Sequence, residues 1–177
     1  MKKIISILLA CLALFCLVGC KDNDGAPSGM KLASNTDLVA YSLYVPESWV
    51  IDNSDTTTRA HVSSIDTSTV SVGDYGAFET IDAWWEVYKT ALSTVGGFEV
   101  LEEGVSEIVD GQGAKGYTYK TIQPTLGQEE VAYKHYLVAT LHDGTVYVIL
   151  YTSYEGQLFD NNLTTVKDEI IANFKFN

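Results

Sequence analysis

The sequence predicts an α+β domain, an antiparallel β-sheet of about six to seven strands flanked by two main helices. Three observations carry this expectation. Apolar residues alternate at period two through much of the chain from Val39 to Tyr154. In two places, near 81–95 and 158–174, the period changes to three and four residues. The order is strands, a helix, four strands joined by short turns, and a second helix, which argues for antiparallel pairing and against parallel α/β winding.

The elements follow in chain order. Val39, Tyr41, Leu43 and Val45 share one face at period two, so a strand is expected there, ended by Pro46. Pro46-Glu47-Ser48-Trp49 then reads as a turn that plants a large aromatic, with Trp49 expected as a core anchor. Arg59–Ile65 and Thr69–Val72 are β-branched segments suited to a short hairpin, with the polar stretch Asp52–Thr58 as the loop before it. Ile81, Trp84, Trp85, Tyr88, Leu92 and Val95 recur at helical spacing, with Thr80 as N-cap and Gly96-Gly97 as the stop. Trp84 and Trp85 stand about 100° apart on such a helix, so one edge of the pair is expected to reach the helix boundary or solvent.

From Phe98 the pattern returns to strands: Phe98–Val109, Gly113–Ile122, Glu130–Leu141 and Thr145–Tyr154. Asp110-Gly111 and Asp143-Gly144 are hairpin signals between them. Leu158, Phe159, Leu163, Val166, Ile170 and Phe174 close the chain at helical spacing, with Asn161 or Asn162 as a possible cap.

Ahead of this domain, Lys2 and Lys3 precede the apolar run Ile4–Val18, the basic and apolar regions of a signal peptide. At about 15 residues the run is shorter than the ~20 that a spanning helix needs. It ends in Leu17-Val18-Gly19-Cys20, which resembles the lipobox of bacterial lipoproteins. That resemblance implies cleavage between Gly19 and Cys20 and a diacylglyceryl group on Cys20, with palmitate-class chains holding the protein on the extracytoplasmic face of a cell membrane. Two or three acyl chains are needed for a durable anchor. Cys11 and Cys16 lie in the discarded peptide, so no thiol remains for a disulfide, a cysteine-bound zinc or thiol catalysis.

The expected organisation is therefore a signal peptide over 1–19, a lipidated cysteine and flexible tether over 20–37, and one domain over 38–177. Lys21–Asp37 is rich in Asp, Asn, Gly, Ser and Pro, too poor in apolar residues to bury. Cleavage removes Lys2 and Lys3 and no acidic residue, taking the formal charge from −12 to −14. Such a chain is repelled by nucleic acid and anionic head groups, and no nucleic-acid partner is expected. A partner on the acidic surface should be neutral or basic and bind more weakly as salt rises.

Ser42-Leu43-Tyr44-Val45-Pro46-Glu47-Ser48-Trp49 resembles the strand, proline and tryptophan opening of PsbP-like domains. Thr80–Val95 is similar to that family's first helix, Gly113-Ala114-Lys115-Gly116-Tyr117-Thr118-Tyr119 to its glycine and aromatic strand, and Gly144–Ile149 to its late strand. Ile170–Phe176 resembles its closing segment, with Asn173 where serine is usual. The resemblance spans Val39–Phe176 and rests on core aromatics and turn residues. It implies a fold shared by extrinsic photosystem II subunits, a Ran-binding nuclear-transport factor and bacterial lipoproteins, most of which bind partners and catalyse nothing.

Candidate chemistry is sparse. His61, His135 and His142 sit in no ligand or nucleophile motif; His135 shares an apolar face with Leu137 and Ala139, and His142 stands at a hairpin mouth beside Asp143. Core and turn roles are expected for them, with a weak exposed metal site at His142 and Asp143 left open. Ser48, Ser63, Ser64 and Ser68 lack a nucleophile elbow. Asp22-Asn23-Asp24-Gly25 imitates only the start of a calcium loop. Asp52 and Asp55, Glu102 and Glu103, and Glu129 and Glu130 are expected at the solvated surface, though paired carboxylates need only meet in space.

With 11 tyrosines, aromatics are the surplus. Tyr117, Tyr119, Tyr133, Tyr147 and Tyr151 are either an exposed stacking strip for a partner or part of a helix-covered core. Two functions follow: a non-catalytic binding or scaffolding lipoprotein, for a protein or envelope partner and without a cofactor, or a small envelope hydrolase using paired carboxylates.

Overall fold

The computed structural model describes residues 25–63, 68–123, 130–154 and 158–177. Asp110-Gly111 and Asp143-Gly144 form two-residue hairpin tips, and all four residues have positive φ, 47, 74, 48 and 79°. That is the geometry whose twist matches paired strands. These tips join β7 (Glu99–Val109) to β8 (Gln112–Gln123) and β9 (Val131–His142) to β10 (Thr145–Tyr154). The predicted meander is therefore present, with each strand antiparallel to the next.

Upstream lie β1 (Met30–Leu32), β2 (Tyr41–Ser42), β3 (Tyr44–Pro46), β4 (Val50–Asp52), β5 (Thr58–His61) and β6 (Thr69–Ala77); β11 (Lys175–Phe176) closes the chain. The main sheet has seven strands in the order β4-β5-β6-β10-β9-β8-β7. Helix α1 (Ile81–Leu92) carries the chain from β6 to the far edge, and the meander returns until β10 pairs with β6. Helix α2 (Leu158–Asn173) follows β10.

Each face of the sheet carries its own core. On one side Trp84 and Trp85 of α1 pack on Tyr117, Tyr119, Leu137, Ala139, Val146 and Val148. On the other, Ile170, Ile171 and Phe174 of the α2 end join Tyr41, Leu43, Val45, Trp49, Val138 and Tyr151. Trp49 is the core anchor its setting implied. Because both faces are covered, six consecutive residues of β9, His135–Thr140, are buried.

Two expectations need correction. The strand expected over 39–45 keeps its buried face at Tyr41, Leu43 and Val45 but is split at Leu43 and stays out of the main sheet. β2 pairs with β11, and β3 with β1. Between them the Leu43 N–H donates to Ser34 Oγ at 3.1 Å, and its carbonyl accepts from the Ala33 N–H at 2.7 Å. Residues 30–34, expected to belong to a flexible stretch running to Asp37, are part of the fold: Met30, Ala33 and Ser34 are buried and β1 is laddered to β3.

Helix α1 begins as predicted, with Thr80 Oγ1 accepting from the Ala83 N–H at 3.1 Å. Its exit depends on Gly97, whose φ is +63° and whose missing Cβ would lie 2.4 Å from Ile122 Cγ1 and 2.8 Å from Ile122 Cβ. Ile122 is held there by its N–H donating to the Gly96 carbonyl at 2.7 Å. Gly97→Ala is expected to cost about 3 kcal/mol, combining left-handed backbone strain with overpacking. Urea unfolding measures it, and Gly97→Ala/Ile122→Ala should recover the packing part alone.

Candidate functional site

The five tyrosines do not form one exposed strip. Tyr117, Tyr119 and Tyr151 are buried, while Tyr133 and Tyr147 are half-buried. Tyr117 stacks on Trp85 with centroids 4.1 Å apart, and Tyr119 stacks on His135 at 4.5 Å, both in the α1-side core. Tyr151 lies in the opposite core beside Tyr136. Burial pushes the hydroxyls of all three well above the usual phenol range. Tyr147 is enclosed by Tyr41 and Phe176, and Tyr133 pairs with Tyr154 at 4.8 Å. Hydrogen bonding to Tyr154, with burial, pushes Tyr133 up to about 12.

The tryptophan pair is more enclosed than expected, each residue being only 2% exposed. The Trp85 Nε1–H reaches the sheet edge, where it donates to Glu103 Oε1. Lys89 Nζ donates to the same oxygen at 2.9 Å. The Lys89 contact, then the Trp85 bond, hold the Glu103 carboxyl below its ordinary range.

His135 fills a core position: Nε2 lies 2.9 Å from Thr121 Oγ1 and Nδ1 lies 3.0 Å from Thr152 Oγ1. His142 stacks on Phe176 at 3.8 Å and meets Gln112 Nε2 at 2.7 Å, so it fastens the C-terminal strand. Lys175 and the Phe176 N–H both donate to Asp110, completing that fastening. Asp52, at the end of β4, accepts from the Ser54 hydroxyl, Asp55 in the following loop accepts from the Thr57 N–H, and Thr118 reaches Glu102 at 3.3 Å. Among the described residues no three His, Cys, Asp or Glu side chains are grouped to hold a metal ion. Gly19, Cys20, the Asp22-Asn23-Asp24 segment, Ser64 and Glu129 lie outside the described residues.

A site that the sequence did not single out lies between β7 and α2. It is a groove of about 420 Å³, lined by Ser106, Glu107, Ile108, Asp168, Ile171 and Ala172. At its side Lys167 Nζ stands 3.3 Å from each of Glu107 Oε1, Asp168 Oδ1 and Tyr136 Oη, and 4.3 Å above the Tyr136 ring. The Tyr136 hydroxyl donates to Glu107 Oε1, and burial first, then Glu107, pushes that hydroxyl up. Gly116 makes room for it: a Cβ there would lie 2.6 Å from Tyr136 Oη. The groove thus offers two carboxylates, one lysine between them, and apolar walls. Such a lining suits a cationic group on an apolar stem.

No protein-family model matches the chain, and no curated protein matches it by sequence. Among solved structures, cyanobacterial PsbP (CyanoP) from Synechocystis sp. PCC 6803 is similar, with a TM-score of 0.60 and 15% identity over 90% of this chain and 99% of that one. The Ran-binding protein Mog1p of Saccharomyces cerevisiae has a TM-score of 0.57 and 12% identity, over 83% and 95% of the two chains. LpqN, involved in cell envelope biogenesis of Mycobacterium tuberculosis, has a TM-score of 0.52 and 13% identity, over 84% and 90%. The chain therefore has the PsbP-like fold, as its strand, helix and turn motifs implied.

Proposed function

We propose that this chain is a membrane-anchored extracytoplasmic lipoprotein whose PsbP-like domain binds or scaffolds a protein or envelope partner without catalysis. The observation that carries the anchor is Leu17-Val18-Gly19-Cys20 closing a basic and apolar leader. The binding role is supported by the fold, since structures sharing it include a Ran-binding protein and a protein of cell envelope biogenesis. Fold likeness at this identity is analogy, and the site has to supply the chemistry.

The hydrolase reading requires two convergent carboxylates free to share or pass a proton. Glu107 and Asp168 do converge, but Lys167 Nζ stands 3.3 Å from both. A fixed cation between them makes an ion triad, which favours holding a partner over acid and base chemistry.

Growing a bacterium that expresses the full-length chain with a labelled palmitate analogue tests the anchor. The expected result is a labelled chain that partitions into detergent, and an unlabelled one for Cys20→Ser. Label persisting on Cys20→Ser, or an unlabelled wild-type chain in the soluble fraction, overturns it. Cross-linking in intact envelopes, with mass spectrometry of what is retained, tests the binding role.

A further inference from the structure

We infer that the partner is an extended protein segment carrying basic side chains, which adds as a strand along Val105–Val109 of β7 and sets one cationic side chain against the outer side of the net-negative Glu107–Lys167–Asp168 triad. The inference rests on the binding role proposed above and names the surface and the chemistry of what it takes.

β7 ends the sheet, laddered to β8 alone among the described strands. An exposed edge presents unpaired backbone groups, and proteins commonly blunt it with bulges and charges. That protection is uneven here. The β7–β8 register slips between Val100 and Glu102 and again between Glu103 and Val105, then runs without interruption from Val105 to Val109. The regular, pairing-competent stretch is also the strand wall of the groove, through Ser106, Glu107 and Ile108. Apolar side chains are exposed along the same strand: Leu101 at 39%, Val105 at 41% and Ile108 at 68%.

Charge selects the occupant. β7 carries Glu99, Glu102, Glu103 and Glu107, and Asp168 faces it across the groove. A second copy of this chain pairing edge to edge would set glutamates against glutamates, which is unfavourable across a ladder. A strand alternating apolar and basic residues instead matches the edge: backbone bonds supply affinity, and alternate side chains supply specificity. The basic side chains of the added strand share the face of Glu107, and the apolar ones, alternating with them, lie on the opposite face against exposed Ile108.

The test uses the full-length chain in detergent and three blocked seven-residue peptides: alternating valine and arginine, alternating valine and glutamate, and the arginine peptide N-methylated on one edge. Binding is read by calorimetry, and its location by amide hydrogen exchange across β7. The arginine peptide is expected to bind, to protect amides within Val105–Val109, and to weaken with salt. Ile108→Lys and Asp168→Lys, both at exposed positions, should each weaken it at least tenfold. No binding, equal binding of the glutamate or N-methylated peptide, protection elsewhere, or indifference to both variants overturns the inference. A partner cross-linked in envelopes that still binds Ile108→Lys would sink this surface alone; an unlipidated wild-type chain would sink the anchor and leave the peptide result standing.

Discussion

Trp85→Ala is expected to lower the unfolding free energy by about 4 kcal/mol, since Phe or Trp to Ala in a core removes both transfer energy and packing. Trp85 is 2% exposed, stacks on Tyr117 at 4.1 Å, and lies within 6.5 Å of Trp84, Tyr88 and Tyr119 by ring centroid. It is the piece of α1 that occupies the centre of the smaller core, and its N–H also engages Glu103. Trp85→Phe keeps a ring and loses that hydrogen bond and part of the area, so about 1–2 kcal/mol is expected. Equilibrium urea unfolding decides the matter. A loss under about 1 kcal/mol for Trp85→Ala would mean that this core contributes little, and an unfolding curve in two steps would mean that α1 leaves before the sheet opens.

How much of this was legible in the sequence depends on how local the signal is. Helix α1 was readable because its spacing and its Thr80 cap fall within one stretch of chain, although it ends at Leu92 on a Ser93 cap, ahead of the glycine pair expected to stop it. The two Asp-Gly turns were readable for the same reason, and with them the antiparallel meander. The split of the first strand was not, because alternation reports a shared face and is silent about which ladder the strand joins. β2 pairs with residues more than a hundred positions away, and Ser34 supplies a side-chain oxygen where a ladder bond would be.

Tyrosine exposure was illegible on similar grounds. Period two separates the faces of a strand, but when helices or strands cover both faces, each alternation is inside, as along β9. The groove is the hardest case. Glu107, Tyr136 and Lys167 are separated by 29 and 60 positions from one another in the bonds that join them, and each looks like an ordinary surface or strand residue in its own segment. Gly116, a glycine inside a strand, marks the close approach of Tyr136, but Gly73, Gly104 and Gly113 are strand glycines with open space beside them, so the sequence did not single it out.

Folding stability should fall by on the order of 3 kcal/mol as pH drops from about 6.5 to about 4, through His135. Burial lowers the His135 pKa from 6.5 to about 4. Between these values the unfolded chain binds a proton that the folded chain excludes, so the unfolded state holds more protons and stability rises with pH. The contribution is complete above the unfolded value and lost as pH falls toward the folded one. The mechanism is steric and dielectric together: Thr121 and Thr152 occupy both ring nitrogens with hydroxyls, and Tyr119 stacks on the ring, so no carboxylate pairs with a charged imidazole there. Asp110 and Glu103, whose pKa values are lowered, give up their contributions in a lower window, as pH falls below about 4 toward their folded values. The two effects therefore separate along the pH axis. His135→Gln removes the titrating ring while leaving His61 and His142 in place. Urea midpoints from pH 7.5 to 4.5 should slope for the wild type and lie nearly flat for the variant; equal slopes would assign the dependence to another group, and a His135 ring that titrates near 6.5 by NMR would show that the pocket admits the charge.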